Sequence, residues 1–416
     1  MTPRPWLQFL IARKCGAYSL QLLLVLAAVP VCPFASAQGP ASRAPQGKDQ
    51  SRTARSTSAP LSNSDFENLK KQAEAAKDSN KIPEAVRLYE RILGQKPQWA
   101  EGWWYLGTLR YEADEYAPAA KAFTRFTALE PENGHGWAML GLCEFRLKQY
   151  LGALDHIVKG RSLGLGDNED LARVVRYHQA VLLTLGKQFD AAQELLNGFA
   201  VEQRESPQVL DALGMAVLRI PGPIGALSEQ QKEMIREFGM AAFLAGARRV
   251  EGSRKLYTNL EAKYRGAPNV AFACGMRYLV AGEAEMATEF FKKELARDPN
   301  HVESLLKLAL QSLNSGKFEE GLPFATKALK LDPESFAAHY TVGRIYMELN
   351  EVSKAVAVLE EAAKIAPNVA SVYFVLSRAY ARANRPTDAA RARAEFARLE
   401  KLDKQKQSGS RSSASQ

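Results

Sequence analysis

The chain has 416 residues, of which 46% are hydrophobic and 24% are charged, and these proportions exclude a wholly disordered or fibrous protein. Its net charge is +9, but residues 1–37, 38–64 and 401–416 each carry +3. Residues 65–400 are therefore neutral. A nucleic-acid-binding domain usually concentrates positive charge on its folded part, so this distribution argues against nucleic-acid binding.

The N-terminus has the pattern of a targeting segment. Arg4, Arg13 and Lys14 precede an apolar run over residues 17–31, and an Ala-Ser-Ala triplet follows. This order predicts a cleaved signal peptide over residues 1–37 and a periplasmic or secreted bacterial protein. The alternative is an uncleaved inner-membrane anchor formed by residues 17–31, although the run is short for a membrane span.

Two segments have no apolar periodicity and are rich in small and polar residues. Residues 38–64 are predicted to form a disordered linker, and residues 403–416 a disordered tail. Beyond the targeting segment the cysteines are Cys143 and Cys274, which are too few and too far apart to indicate a disulfide framework. Both are predicted to be buried as small hydrophobic residues.

Five prolines recur at a fixed spacing. Pro97 and Pro131 are 34 residues apart, as are Pro299, Pro333 and Pro367 in turn. Proline just beyond a helix end prevents the helix from continuing. A stop at each interval of this length leaves room for two short helices and two turns, so the spacing predicts repeated helix pairs.

The residues between these prolines carry a second pattern. Trp103, Leu106 and Gly107 are followed by Ala119 and Phe123, and the small residues are spaced to let two helix backbones approach closely. This arrangement resembles the tetratricopeptide repeat, W-x2-L-G-x2-Y…A-x3-F…P. The resemblance covers roughly residues 66–400 and implies an all-α fold, a right-handed α-solenoid of antiparallel helix pairs. The repeats are predicted at about 66–99, 100–133, 134–167, 173–206, 237–267, 268–301, 302–335, 336–369 and 370–400.

The repeat register breaks in the middle of the chain. Val209–Arg219 has the pattern of a first helix without its usual partner, and the Pro-Gly-Pro that follows cannot lie inside a helix. The next helix is predicted to start near Ser228. We therefore predict an N-terminal block over 65–219, an irregular insert over 220–235, and a C-terminal block over 236–402. The insert is an ordinary long loop, a hinge between the blocks, or a loop that folds over the groove.

The sequence contains no recognisable catalytic or metal-binding pattern. The histidines and cysteines lack metal-ligand spacing, and no Gly-rich phosphate loop or Gly-x-Ser-x-Gly elbow occurs. The chain is therefore predicted to be no enzyme and to need no cofactor or metal.

The resemblance also implies a binding surface, because the first helix of each tetratricopeptide repeat lines a concave groove. Aromatic and arginine side chains are enriched in binding hot spots. On this basis the predicted partner-binding residues are Trp104, Tyr105, Tyr111, Phe145, Tyr340, Arg344, Phe374, Arg378 and Arg382. The alternative for Trp104 and Tyr105 is packing against the neighbouring repeat. The alternative for Arg378 and Arg382 is a solvated helix face.

The predicted function is that of an exported scaffold that binds a protein or peptide partner in this groove. Its expected setting is the assembly of envelope or secretion machinery. The alternative is a membrane-tethered spacer or a self-associating array without a groove ligand. Neither hypothesis involves nucleic acid, and membrane contact is expected only through an uncleaved N-terminal segment.

Overall fold

The computed structural model describes residues 62–412, and these residues are helical with no strand. The predicted signal peptide over 1–37, nearly all of the predicted linker, and residues 413–416 lie outside the described residues. Within residues 62–412, no helix combines the length and apolar character that crossing a membrane requires. The all-α prediction is confirmed.

The chain divides into two compact units, and the division falls between Ser253 and Arg254. Among the residues that the structure describes, the first unit contains ten complete α-helices. They are α1 Asn63–Asp78, α2 Ile82–Leu93, α3 Ala100–Glu112, α4 Tyr116–Leu129, α5 Gly134–Arg146, α6 Tyr150–Leu163, α7 Glu169–Leu185, α8 Phe189–Val201, α9 Pro207–Val217 and α10 Glu229–Gly246. Consecutive helices pack on each other in this unit, as expected for helices joined by short turns.

Helix α11 (Val250–Lys263) contains the division, and eight further helices lie in the second unit. They are α12 Val270–Val280, α13 Ala284–Arg297, α14 Val302–Asn314, α15 Phe318–Leu331, α16 Phe336–Glu348, α17 Val352–Ile365, α18 Ala370–Arg382 and α19 Pro386–Ser412. From α12 onward, each helix packs on the next.

Small buried residues recur at matching positions on the two helices of the repeat pairs in residues 62–412. The first helix supplies Ala73, Gly107, Gly141, Ala180, Ala241, Gly275, Ala309, Gly343 or Ser377, and the second supplies Ala85, Ala119, Ala153, Ala192, Ser253, Ala287, Gly321, Ala355 or Ala389. All of them are buried. A Cβ on Gly107 would lie 2.8 Å from the Phe123 ring, and one on Gly343 would lie 2.5 Å from Leu359. Small size at this position therefore sets how closely the two helices approach.

The turn inside each pair also has a constant conformation. Its middle residue has a positive φ, and it is Asn80, Asp114, Lys148, Lys187, Arg248, Gly282, Gly316, Asn350 or Asn384. Left-handed backbone is common at helix ends and favours glycine or asparagine. Five of the nine residues are glycine or asparagine, which suit this backbone, and at Lys148, Lys187 and Arg248 the packing of the helix pair imposes it.

The break in the repeat pattern has a different structure from the predicted one. Helix α9 does have a partner, because it packs closely on α10 across two glycines. A Cβ on Gly214 would lie 1.8 Å from the carbonyl oxygen of Ile235, and one on Gly239 would lie 1.9 Å from that of Leu210. The backbones of α9 and α10 are therefore in direct contact, and the sequence 218–228 is a loop that joins two packed helices.

The start of α10 agrees with the sequence prediction. The Ser228 side chain accepts a hydrogen bond from the backbone N–H of Gln231, and the Gln231 side chain accepts one from the backbone N–H of Ser228. The compact units, however, do not divide at the Pro-Gly-Pro segment as predicted. The physical reason is the glycine contact between α9 and α10, which holds both sides of the insert in one unit.

The C-terminal helix is longer than expected. Helix α19 continues to Ser412, through residues that were predicted to begin the disordered tail at position 403. Lys404 forms an ion pair with Glu400 at 3.4 Å, one turn earlier. A pair at this spacing stabilises a helix.

Both cysteines of the described region are buried, as predicted. Cys143 is 0% exposed in the first unit, and Cys274 is 1% exposed in the second. Burial raises the pKa of the Cys143 thiol well above its usual range and raises the pKa of Cys274 to about 12. Neither thiol is therefore a reactive nucleophile in the folded protein.

Candidate functional site

The predicted aromatic end of the groove is occupied largely by packing contacts. The Trp104 ring lies 5.6 Å from the Phe123 ring, 5.3 Å from Phe126, and 6.5 Å from His135 of the next helix pair. These edge-on and tilted contacts are typical of aromatic core packing. Trp104 therefore packs mainly within its own repeat and touches the neighbouring repeat at His135.

Tyr105 is likewise engaged by its own surroundings. Its hydroxyl donates a hydrogen bond to Glu101 at 3.2 Å, its ring lies 5.6 Å from Tyr89, and the Lys77 ammonium lies 4.6 Å above the ring. Burial, with the nearby Glu101 carboxylate, raises the pKa of Tyr105 to about 12. The side chain is neutral at physiological pH, and its polar group already has a partner.

Two other predicted residues of the first unit are also packed inside it. Tyr111 is only 3% exposed and lies edge-on to Tyr116, so its assignment to a binding groove is wrong. Its ring turns into the core cluster around Phe123. Phe145 is half-buried, with its ring 4.7 Å from His178 and 6.0 Å from Tyr150.

The second unit is different, because two arginine–aromatic pairs recur there at one register. Arg344 lies 5.7 Å from the Tyr340 ring on α16, and Arg378 lies 6.0 Å from the Phe374 ring on α18. In each pair the arginine follows the aromatic residue by one helical turn. The Phe374 side chain is 47% exposed, which is unusual for a large apolar residue.

The two pairs occupy equivalent places on neighbouring helices. Each arginine directly follows the small packing residue of its helix, Gly343 or Ser377. Helices α14 and α16 contact each other, as do α16 and α18. Arg382 continues the line on α18 by one further turn, and it donates a hydrogen bond to the carbonyl oxygen of Met347 at 2.8 Å. This bond gives Arg382 a structural role, because a cation stabilises the end of α16.

The row of equivalent residues on α16 and α18 begins one repeat earlier, on α14, which the sequence prediction did not include. On α14 the equivalent residues are Leu306 and Leu310, which are partly buried. They were missed because we looked for aromatic and charged residues, although their spacing from Ala309 would have identified them. We call the row on α14, α16 and α18 the inner stripe, and it consists of Leu306, Leu310, Tyr340, Arg344, Phe374, Arg378 and Arg382.

Like several other arginines in the described part of the chain, Arg344 and Arg378 form no ion pair. Neither has a carboxylate within ion-pair distance among residues 62–412, and each lies only over an aromatic ring. By contrast, Arg385 pairs with Glu360 and Asp388, and Arg236 forms a two-pronged pair with Asp211 at 2.9 Å. The inner stripe therefore presents positive charge that the fold itself does not neutralise.

The repeat signature is recognised in both units. Sequence models described as tetratricopeptide repeat match residues 70–123, 106–157 and 346–403, and another with the same description matches residues 312–373. The chain is a tetratricopeptide-repeat protein. Proteins of this family are generally non-catalytic scaffolds for protein–protein interaction, and this chain is a protein-interaction scaffold in that sense.

Solved structures of other proteins resemble parts of this tetratricopeptide-repeat protein. A MamA double mutant of strain RS-1 is 17% identical, with a TM-score of 0.38 over 42% of this chain and 97% of its own. A MamA fragment from Desulfovibrio magneticus RS-1 is 16% identical, with a TM-score of 0.38 over 41% and 96%. Scores this low carry no argument about function. A search of curated proteins finds no match.

The tetratricopeptide-repeat protein also has a cavity of about 450 Å³ in the second unit, which the sequence did not predict. Its wall includes Glu294, whose side chain is 0% exposed. The Glu294 carboxylate accepts hydrogen bonds from the backbone N–H groups of Asn269 and Phe272 at 3.2 Å each, and from Arg297 at 2.8 Å. Glu294 therefore caps the N-terminus of α12, and the cavity is explained by this structural network.

One sequence signal could have revealed this cap. Phe126 and Ala362 occupy the position of Glu294 in other helix pairs, so a carboxylate there breaks the apolar register. Within residues 62–412 of the tetratricopeptide-repeat protein, no group of three or more His, Cys, Asp or Glu side chains is placed to hold a metal ion.

Proposed function

We propose that this tetratricopeptide-repeat protein is an exported scaffold that binds a protein or peptide partner along the inner stripe of its C-terminal unit. Its setting would be the assembly of envelope or secretion machinery. The observation that supports the proposal is the repeated pair of an arginine and an aromatic residue, Arg344 with the partly buried Tyr340 and Arg378 with the exposed Phe374. Aromatic and arginine side chains dominate binding hot spots.

The predicted binding residues differ in availability between the two units, and this difference favours the C-terminal unit as the binding surface. In the first unit, Trp104 and Tyr111 are held by packing and Tyr105 by an internal hydrogen bond. A partner could reach them only by displacing contacts that stabilise the fold. In the second unit, Arg344 and Arg378 have polar capacity left over, because a guanidinium has five donors.

Export is supported by the sequence alone. The positive segment, the apolar run over 17–31 and the small residues that follow have the order of a signal peptide. We expect mass spectrometry of the protein from cells to find an N-terminus at Gln38. An intact Met1 would contradict cleavage and favour the anchored alternative.

The binding surface can be tested by partner capture from an envelope extract. We compare the unmodified chain with an Arg344→Glu/Arg378→Glu variant, and with Lys330→Glu/Lys401→Glu as a control that makes the same charge change on exposed positions outside the stripe. We expect the stripe variant to lose partners that the control retains. If both variants retain the same partners, the stripe is not the binding surface, and light scattering then tests the self-associating alternative.

A further inference from the structure

A polar patch interrupts the contact between two successive helix pairs in the first unit. Arg161 lies near the end of α6, the second helix of its pair, and Gln179 lies on α7, the first helix of the next pair. The equivalent residues are buried, and they are Leu93, Thr127 and Ala200 on other second helices and Leu106 and Leu140 on other first helices. Two long polar side chains therefore take positions that are buried and small or apolar in neighbouring pairs.

This patch brings two guanidinium groups together. Arg161 donates a hydrogen bond to the side-chain oxygen of Gln179, and Gln179 follows Arg176 by three residues on α7. Residues at that spacing are neighbours on a helix surface. Partial burial of the guanidinium, and after it the positive charge of Arg176, lower the pKa of Arg161. The two cations therefore lie close enough to repel each other.

The carboxylates nearby neutralise only part of this positive charge. Glu202 pairs with Arg176 at 2.8 Å. The two acids at the start of α7 pair with Arg173 instead. Among residues 62–412, no carboxylate lies within ion-pair distance of Arg161, whose partner is the neutral Gln179. The patch thus holds two positive charges and one negative charge.

The guanidinium of Arg176 is held in place and still has an unused donor. It lies 4.3 Å from the Phe199 ring, and its Nη1 lies against Gly198, where a Cβ would come within 3.0 Å. Its Nε is buried and has no hydrogen-bond partner in the described part of the chain. A buried donor without an acceptor is unfavourable, so an added oxygen ligand would improve this arrangement. A group that is already ordered also loses less freedom when it binds.

We propose that Arg161 and Arg176 together bind a small tetrahedral oxyanion, a phosphate or sulfate group, between α6 and α7. A guanidinium presents paired N–H donors that match the oxygens of such a group. The amide nitrogen of Gln179 is a further donor beside them. The negative charge of the ligand offsets the repulsion between the two arginines. This site is distinct from the inner stripe and does not depend on the proposed function.

The test follows thermal unfolding of the full chain by circular dichroism in sodium phosphate, sodium sulfate or sodium chloride at equal ionic strength. A ligand that binds only the folded state raises the melting temperature as its concentration increases. We expect a saturable rise with a Kd of about 1 mM or tighter, and no such rise in chloride. A response to phosphate alone or to sulfate alone identifies the anion that the site takes, whereas a response to neither would overturn the proposal.

Two substitutions locate the response. Arg161→Gln should weaken oxyanion binding at least about tenfold, because it removes one of the two guanidinium groups. Its melting temperature in chloride should be unchanged or higher, since the repulsion with Arg176 is relieved. Arg125→Gln, the same change at an exposed position on α4, should keep the full response. A response that survives in Arg161→Gln, or an equal loss in Arg125→Gln, would show that the oxyanion does not bind at this patch.

Discussion

At the scale of single residues, Glu294 shows how one buried charge can be stabilised. It is 0% exposed, and its two oxygens satisfy the backbone N–H groups that begin α12, while Arg297 supplies the opposite charge. Asn269 precedes α12 with a left-handed backbone and makes no side-chain cap of its own. The carboxylate from α13 therefore replaces the cap that α12 lacks.

We predict that Glu294→Ala lowers the free energy of unfolding of the second unit by about 2 kcal/mol, since buried donors lose a charged acceptor. Hydrogen exchange of the Asn269 and Phe272 amides should accelerate as well. Glu289→Ala, a change to an exposed residue on the same helix, should alter stability by less than about 0.5 kcal/mol. Similar effects of the two substitutions would show that Glu294 is no cap.

His301 makes the second unit sensitive to acid. Its Nδ1 accepts a hydrogen bond from the backbone N–H of Ser304 at 3.1 Å, and its Nε2 lies 2.9 Å from the side-chain oxygen of Asn269. Burial is the main cause that lowers the pKa of His301, against the opposing effect of Glu303 and other nearby acids. The neutral ring is thus the form that caps α14.

A lowered pKa in the folded state means that the unfolded chain binds more protons in mildly acidic solution. We therefore predict that the second unit is fully stable above about pH 7.5 and loses stability as pH falls through about 6.5, the ordinary histidine value. His301→Asn keeps a capping side chain and removes the titration. Urea unfolding at a series of pH values should show a weaker dependence in this variant. An unchanged dependence would assign it to other groups.

At the scale of elements, the helix pairs follow from two signals that are visible in the sequence. The small residues set the approach of the two helices, and Pro131 or Pro333 marks where a pair ends. The α9–α10 contact could not be predicted from these two signals, because Gly214 and Gly239 lie on either side of a loop of irregular length. A glycine pattern separated by such a loop has no fixed register, so its partner becomes visible only in the structure.

We predict that Gly239→Ala destabilises the first unit by at least about 2 kcal/mol, because the new Cβ would meet the Leu210 carbonyl oxygen at 1.9 Å and force two backbones apart. Gly222→Ala is the matched control in the neighbouring loop, where a Cβ meets nothing within 4 Å. Thermal unfolding followed by circular dichroism measures both. Equal melting temperatures for the two variants would contradict the close contact.

At the scale of the whole molecule, the sequence predicted the repeat class well, whereas the binding surface stays a prediction. Periodicity reports which residues face a partner helix, and this identified the fold. It does not report whether an aromatic residue beside that face is free or packed by the next repeat, as Trp104 and Tyr111 show. Arg344 and Arg378 were predicted from their residue type and their place on the first helix of a repeat, whereas their lack of a carboxylate partner is visible only in the structure.

Among the described residues, each compact unit contains one deeply buried thiol, Cys143 in the first and Cys274 in the second. With pKa values raised by burial, both should resist alkylation at pH 8 in the native protein and react once their own unit opens. Iodoacetamide labelling across a urea series, read by peptide mass spectrometry, checks this; labelling of either thiol without urea would contradict it. The two thiols thus report separately on the unfolding of the two units. The difference between their urea midpoints of labelling measures how independently one unit unfolds while the other stays folded.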